Sequence, residues 1–349
     1  MKLSFEQIQS ITCGAAWLED LGGQIRFHRF TAEQEALYLQ YNDGFFEKCF
    51  ATTGVVLRFR TDSSYLRIRS TVLKATSRAY FSVDILRDGE VFGHVDNFSG
   101  CDVSGDYTIK GFPYGSFQKE FSLGKGLKTI EIHLPWSSEL RLDALELEIG
   151  SVVDPVKRPK TLMTFGDSIT QGYDALRPMN CYTVRLAEAL QADEINKAIG
   201  GERFIPELAA CPDPDAPDYI SVAYGTNDWG VGSWNQFSKN CPAFFRNLRK
   251  SYPDAKILAL TPVWRKDMNE VRKCCEFKKI GEVIRESVRG IPNVTVIDCF
   301  DMIPKEERFF ADFRLHPNDE GFGHYTENLL KALRETGFLT DPEQKEETV

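Results

Sequence analysis

Along Val55-Val56-Leu57-Arg58-Phe59-Arg60 and Tyr65-Leu66-Arg67-Ile68-Arg69, apolar residues alternate with basic ones. That is the period of strands with one buried face. Thr61-Asp62-Ser63-Ser64 supplies the turn between the two runs. The same reading places strands at Gln24–Arg29, Val55–Arg60, Tyr65–Thr71, Ala79–Arg87, Phe117–Leu123, Leu127–Leu134 and Leu140–Ile149. Arg87-Asp88-Gly89-Glu90 adds a strong hairpin signal. Many short strands with no long helix between them predict a β-sandwich of jelly-roll type over residues 1–152.

The pattern then changes. Val153 to Lys160 carries two prolines and no apolar period, so residues 153–160 read as a linker. From Thr161 strands alternate with helices, and residues 161–349 form the second expected domain. Short apolar runs at Thr161–Phe165, Glu194–Ala198, Tyr219–Tyr224, Lys256–Thr261 and Val294–Asp298 read as buried strands. Tyr182–Gln191, Gln236–Lys250, Glu270–Arg289 and Asn318–Arg334 show helical spacing. This alternation predicts an α/β unit whose parallel sheet is covered on both faces. The polar stretch after Asp341 reads as a frayed tail.

At 349 residues, 42% hydrophobic and 27% charged, the chain has the balance of a two-domain globular protein. A net charge of −9 without a basic stripe speaks against a nucleic-acid partner. No apolar leader follows Met1-Lys2-Leu3-Ser4, and no apolar run nears the ~20 residues of a membrane span. The nine cysteines (13, 49, 101, 181, 211, 241, 274, 275 and 299) lack metal-ligand spacing, and Cys274-Cys275 falls in an expected helix. They read as reduced thiols of a cytoplasmic protein. Nothing in the sequence sets the oligomeric state.

The candidate chemistry sits where the strands end. Thr161 to Phe165 runs into Gly166-Asp167-Ser168, and a helix follows, so a serine stands at the carboxyl end of a strand. Open parallel sheets place their chemistry at that edge. Asn196-Lys197-Ala198-Ile199-Gly200-Gly201 closes the second strand, and Tyr224-Gly225-Thr226-Asn227-Asp228 closes the third. Asp312-Phe313-Arg314-Leu315-His316-Pro317-Asn318 precedes the last helix. Of the five histidines, only His316 and His324 lie in this half of the chain, and His316 stands next to a proline and just before an Asn cap, which holds its backbone in a defined place.

Together these blocks resemble the SGNH (GDSL-type) hydrolases. Ser168 matches the nucleophile block, Gly201 the glycine block, Asn227 the Gly-x-Asn-Asp block and His316 the final block, all in the family's order. The resemblance implies a flavodoxin-like α/β/α domain and ester hydrolysis without metal or organic cofactor. With a β-sandwich ahead of it, the chain further resembles two-domain carbohydrate esterases that remove acetyl groups from poly- and oligosaccharides. Ser168 would be the nucleophile and His316 its base. The Ser168 N–H, the Gly201 N–H and the Asn227 amide would form the oxyanion hole.

The acidic partner is displaced. The family pattern puts it three residues before the histidine, where this chain has Phe313; Asp312 stands one residue earlier. Either a bulge or extra turn aims Asp312 at His316, or the enzyme runs as a Ser-His dyad. Asp167, Trp229, Trp264 and Arg265 lie near the same edge and are candidates to touch substrate. For the tryptophans a stacking surface for sugar and a core place weigh equally, and Asp167 also suits a turn cap. The expected substrate is a small-molecule or oligosaccharide ester of a short acyl group. The alternatives are an esterase or lysophospholipase for other acyl esters, and a non-catalytic carbohydrate-binding protein.

Overall fold

The computed structural model describes residues 1–99, 103 and 112–339. Cys101 and the tail after Asp341 lie outside the described residues.

The first part of the chain forms two antiparallel sheets. One orders its strands as Thr12–Cys13, Val56–Thr61, Lys128–His133, Ser82–Arg87 and Glu90–Asp96. The other runs Trp17–Asp20, Ile25–His28, Ser138–Leu147, Tyr65–Lys74 and Gly115–Ser122. Alternate residues of both turn inward to one apolar cluster: Leu57, Phe59, Ile85 and Ile132 meet Phe27, Leu66, Ile68 and Leu142. The hairpin forms at Asp88 and Gly89, whose φ angles of 53° and 83° suit the twist of paired strands. Asp154 and Pro155, within the expected linker, pair with Arg60 and Phe59, so the connection is tied to the first sheet.

Three helices here depart from the all-β expectation: Phe5–Ile11, Ala32–Tyr41 and Asp43–Cys49. Their signals are local. Ser4 with Gln7, and Thr31 with Gln34, form reciprocal capping boxes at the first two helix starts. Nor do the last two belong to the sandwich. Phe30, Tyr38 and Cys49 are fully buried beside Met163, Phe165 and Ile199 of the second unit.

That second unit is a five-stranded parallel sheet of β1 (Lys160–Gly166), β2 (Ala192–Asn196), β3 (Tyr219–Ala223), β4 (Lys256–Leu260) and β5 (Val294–Ile297). Its spatial order is β2-β1-β3-β4-β5, the flavodoxin-like order. Period-2 alternation covers both faces. Leu162, Leu258 and Leu260 pack with Leu186 of α2 (Tyr182–Ala189) and Phe322 and Leu329 of α6 (Asp319–Glu335). Met163, Phe165, Ile257 and Ala259 pack with Phe244 of α4 (Trp234–Ser251) and Ile280 of α5 (Phe277–Ser287). Two short helices, α1 (Ser168–Gln171) and α3 (Thr226–Val231), start just past β1 and β3.

Helix α5 is shorter than its periodicity predicts, and Cys274-Cys275 lies in the loop before it. The residues of that loop serve Trp229 instead. The indole N–H donates to the Cys275 carbonyl at 2.9 Å, and the Arg265 and Arg272 guanidinium groups flank the ring at 4.7 and 5.0 Å. Among the described residues, no helix is long and apolar enough to cross a membrane.

Candidate active site

The order reverses between β1 and β3, which lie side by side with Gly166 opposite Ala223. Both chains therefore leave the sheet at one edge, and the crevice there is where such sheets bind ligands. Gly166 has no room for a side chain: a Cβ would lie 2.2 Å from Thr170 Oγ1. Its absence lets α1 fold directly back over the strand. Asp167 caps that helix by accepting from the Ile169 N–H at 3.0 Å. It is 3% exposed, and burial pushes its carboxyl up to about 6. Asp167 thus holds the turn, the second of the two roles its place in the sequence suits.

Ser168 opens α1, so its backbone N–H has no acceptor within the helix. Its Oγ lies 2.8 Å from His316 Nε2. On the other side of the ring, His316 Nδ1 lies 3.0 Å from Asp312 Oδ2. A carboxylate only accepts, so Nδ1 carries the proton and Nε2 of the neutral ring is left to accept from the serine hydroxyl. The remaining Asp312 oxygen accepts from the N–H groups of Arg314, Leu315 and His316 at 3.0, 2.7 and 3.0 Å. Burial alone would raise this carboxyl. The bond from His316, the imidazolium charge and the backbone donors outweigh it and hold Asp312 well below the usual range.

The extra residue between Asp312 and His316 is absorbed at Phe313. Its φ of 55° turns the chain left-handed, with the ring half exposed. Asn318 then caps α6 through the Gly321 N–H at 2.9 Å, which fixes the backbone just past His316.

The glycine loop after β2 is locked from the first half of the chain. Arg29, fully buried, donates to the carbonyls of Asn196 and Ala198 at 2.6 and 3.2 Å. Lys48 Nζ donates to the Gly200 carbonyl at 2.7 Å. The Gly200 N–H is spent on Gln171 Oε1 at 2.7 Å, whereas the Gly201 N–H has no acceptor among the described residues. Gly201 has a φ of 91°, a left-handed conformation that favours glycine. Asn227 Nδ2 donates one proton to the Glu202 carbonyl at 3.1 Å, which ties the third block to the second and leaves its other proton free. Glu202 itself is buried and accepts from Tyr38 and Tyr224 hydroxyls, each at 2.6 Å; burial pushes its carboxyl up to about 8.

Of the remaining candidates, Trp229 is completely buried, for the reasons given with its loop, and presents no face to a sugar. Arg265 is also buried: it donates to the Thr226 carbonyl and hydroxyl at 3.2 and 3.0 Å and pairs with Asp267 at 2.6 Å. Its role is to hold the start of α3, not to meet substrate. Trp264 is half-buried against Phe310, with ring centroids 5.3 Å apart, and keeps some exposed surface.

Residues 164–323 match the model of the GDSL-like lipase/acylhydrolase family. No curated protein matches the sequence. Among solved structures, the chain is similar to the salicylyl-acyltransferase SsfX3 from a tetracycline biosynthetic pathway. That match has 22% identity and a TM-score of 0.77, over 94% of this chain and 95% of the other. A second likeness is to a protein named as a GDSL-like lipase from Bacteroides ovatus: 19% identity and TM-score 0.74, over 97% and 98% of the two chains. A family two carbohydrate esterase from Cellvibrio japonicus matches at 17% identity and TM-score 0.61, over 93% and 96%. At such identities these are likenesses of fold, and they take in the antiparallel sheets as well as the parallel one.

Proposed function

Residues 164–323 form a GDSL-like lipase/acylhydrolase domain, and from that premise we propose that the chain is a serine esterase for short acyl groups, acetyl above all, carried on carbohydrate. The observation that carries the reading is the unbroken Ser168–His316–Asp312 chain of 2.8 and 3.0 Å. His316 Nε2 takes the Ser168 proton as Oγ attacks the ester carbonyl, and Asp312 stabilises the imidazolium that forms. The N–H groups of Ser168 and Gly201 and the free Asn227 amide proton receive the oxyanion. When the intermediate collapses, His316 returns the proton to the leaving alcohol. Water, activated by the same ring, then releases the acid from Ser168.

Support for carbohydrate comes from the fold likeness to family two carbohydrate esterases, which includes the antiparallel sheets. The test is acyl release from a panel of acetylated oligosaccharides and from long-chain aryl esters, followed by mass spectrometry. Acetyl esters are expected to turn over far faster. Faster turnover of the long-chain esters would move the reading to a lipase.

A further inference from the structure

His316 has a second carboxylate within reach. Asp174 Oδ2 lies 3.5 Å from His316 Nδ1, and the Asp174 side chain is entirely buried. This residue belongs to the segment just past α1, where its backbone takes a φ of 74°, a conformation uncommon outside glycine. Contacts from the antiparallel unit surround it. Arg78 Nε and Nη2 donate to its two oxygens at 2.6 and 2.9 Å, and the Tyr80 hydroxyl donates to Oδ1 at 3.1 Å. The same Arg78 guanidinium lies 5.2 Å from the Tyr173 ring centre, and that ring stacks on His316 at 5.7 Å and 29°.

We propose that Asp174 is a positioning residue for His316, a second carboxylate that stabilises the imidazolium beside Asp312, and that Arg78 of the antiparallel unit sets its charge and place. The β unit is then a working part of the site. This rests on the esterase reading for its purpose, though not for its geometry. Among the described residues, the charged and titratable groups around the ring are Asp312 from its own loop, Asp174 and Tyr173 after α1, and Asp167 before the serine, while Arg78 and Tyr80 of the β unit act on it through Asp174.

The signs follow from Coulomb's law at short range. Removing the Asp174 charge destabilises the imidazolium, so the ring gives up its proton at lower pH. Removing the Arg78 charge takes a positive charge from beside Asp174, so its negative charge acts more strongly on the ring and the proton is held to higher pH. A merely structural role would not move the two in opposite directions.

The experiment is an NMR pH titration of the His316 ring in the full chain, assigned with His316→Gln among only five histidines. Asp174→Asn is expected to lower the titration midpoint by about one pH unit, and Arg78→Gln to raise it. Arg78→Lys, which keeps the charge, should stay near wild type. The acid limb of kcat on a small aryl acetate should move the same way as each midpoint. An unmoved midpoint in Asp174→Asn, or shifts of the same sign in both charge-removing variants, would overturn the proposal. If Asp174→Asn does not fold, the contrast between Arg78→Gln and Arg78→Lys decides, and equal midpoints in those two would sink it. An inactive wild type would count against the esterase reading alone, because the titration judges the positioning role without turnover.

Discussion

Asp312 Oδ2 stands 3.0 Å from His316 Nδ1 although the two residues are four apart in sequence, one more than the family spacing. The left-handed Phe313 makes up the difference. Asp312→Asn keeps the shape and loses the charge. Kcat is expected to fall by about 10²–10³, the lower part of the triad range, because Asp174 leaves a negative charge nearby, while KM changes little. Steady-state kinetics on an aryl acetate check this. A loss under about tenfold, with His316→Ala inactive, would make Asp312 structural.

Asn227 is expected to act only in the transition state. Its amide is already oriented by the Glu202 carbonyl at 3.1 Å. Asn227→Ala should lower kcat by about 10²–10³, near 3 kcal/mol of barrier, and leave the fold intact. Kinetics combined with a thermal melt separate this from a loss of stability.

The buried Glu202 gives stability a pH dependence whose sign is fixed. Its folded carboxyl is pushed up to about 8 from an ordinary 4.5, so the folded state holds a proton that the unfolded chain has lost. Its contribution is complete below about pH 4.5 and is lost as pH rises to about 8, at up to ~1.4 kcal/mol per pH unit. Asp167, raised to about 6, and Asp228, raised to about 7, act in the same direction. Glu202→Gln cannot ionise, so its melting temperature relative to wild type should be higher at pH 8 than at pH 5. An equal difference at both pH values would show that Glu202 is charged throughout.

Trp229 is expected to answer as a core residue. It is fully buried, and its ring meets Phe277 edge-on with centroids 5.2 Å apart. Trp229→Ala should destabilise the chain by about 3–5 kcal/mol, read from denaturant midpoints. If the variant instead stays stable and loses affinity for oligosaccharide, the tryptophan reaches substrate after all.

What could be read from the sequence was local, and what could not was relayed through space. Ser168 and Asn227 stand in the first turn of short helices just past β1 and β3, Gly201 lies in the turn beyond β2, and His316 precedes α6, so the order of elements largely brings them to one edge. The alternation of short apolar strands with helices after Thr161 foretold a parallel sheet covered on both faces. The helices at Ala32–Tyr41 and Asp43–Cys49 escaped because their apolar periodicity is weak, although Thr31 and Gln34 carried a capping signal. Asp174 is joined to Arg78 across 96 positions of chain, and no spacing announces such a pair. Trp229 and Arg265 show the converse: neighbours of the site in sequence whose side chains the fold turns inward.

The central claim is that Ser168 is the nucleophile, and covalent capture tests it most directly. A serine-directed phosphonate should add one equivalent to the intact mass, peptide mapping should place it on Ser168, and Ser168→Ala should neither label nor hydrolyse an aryl acetate. Labelling at another residue, or full activity in Ser168→Ala, would contradict the account.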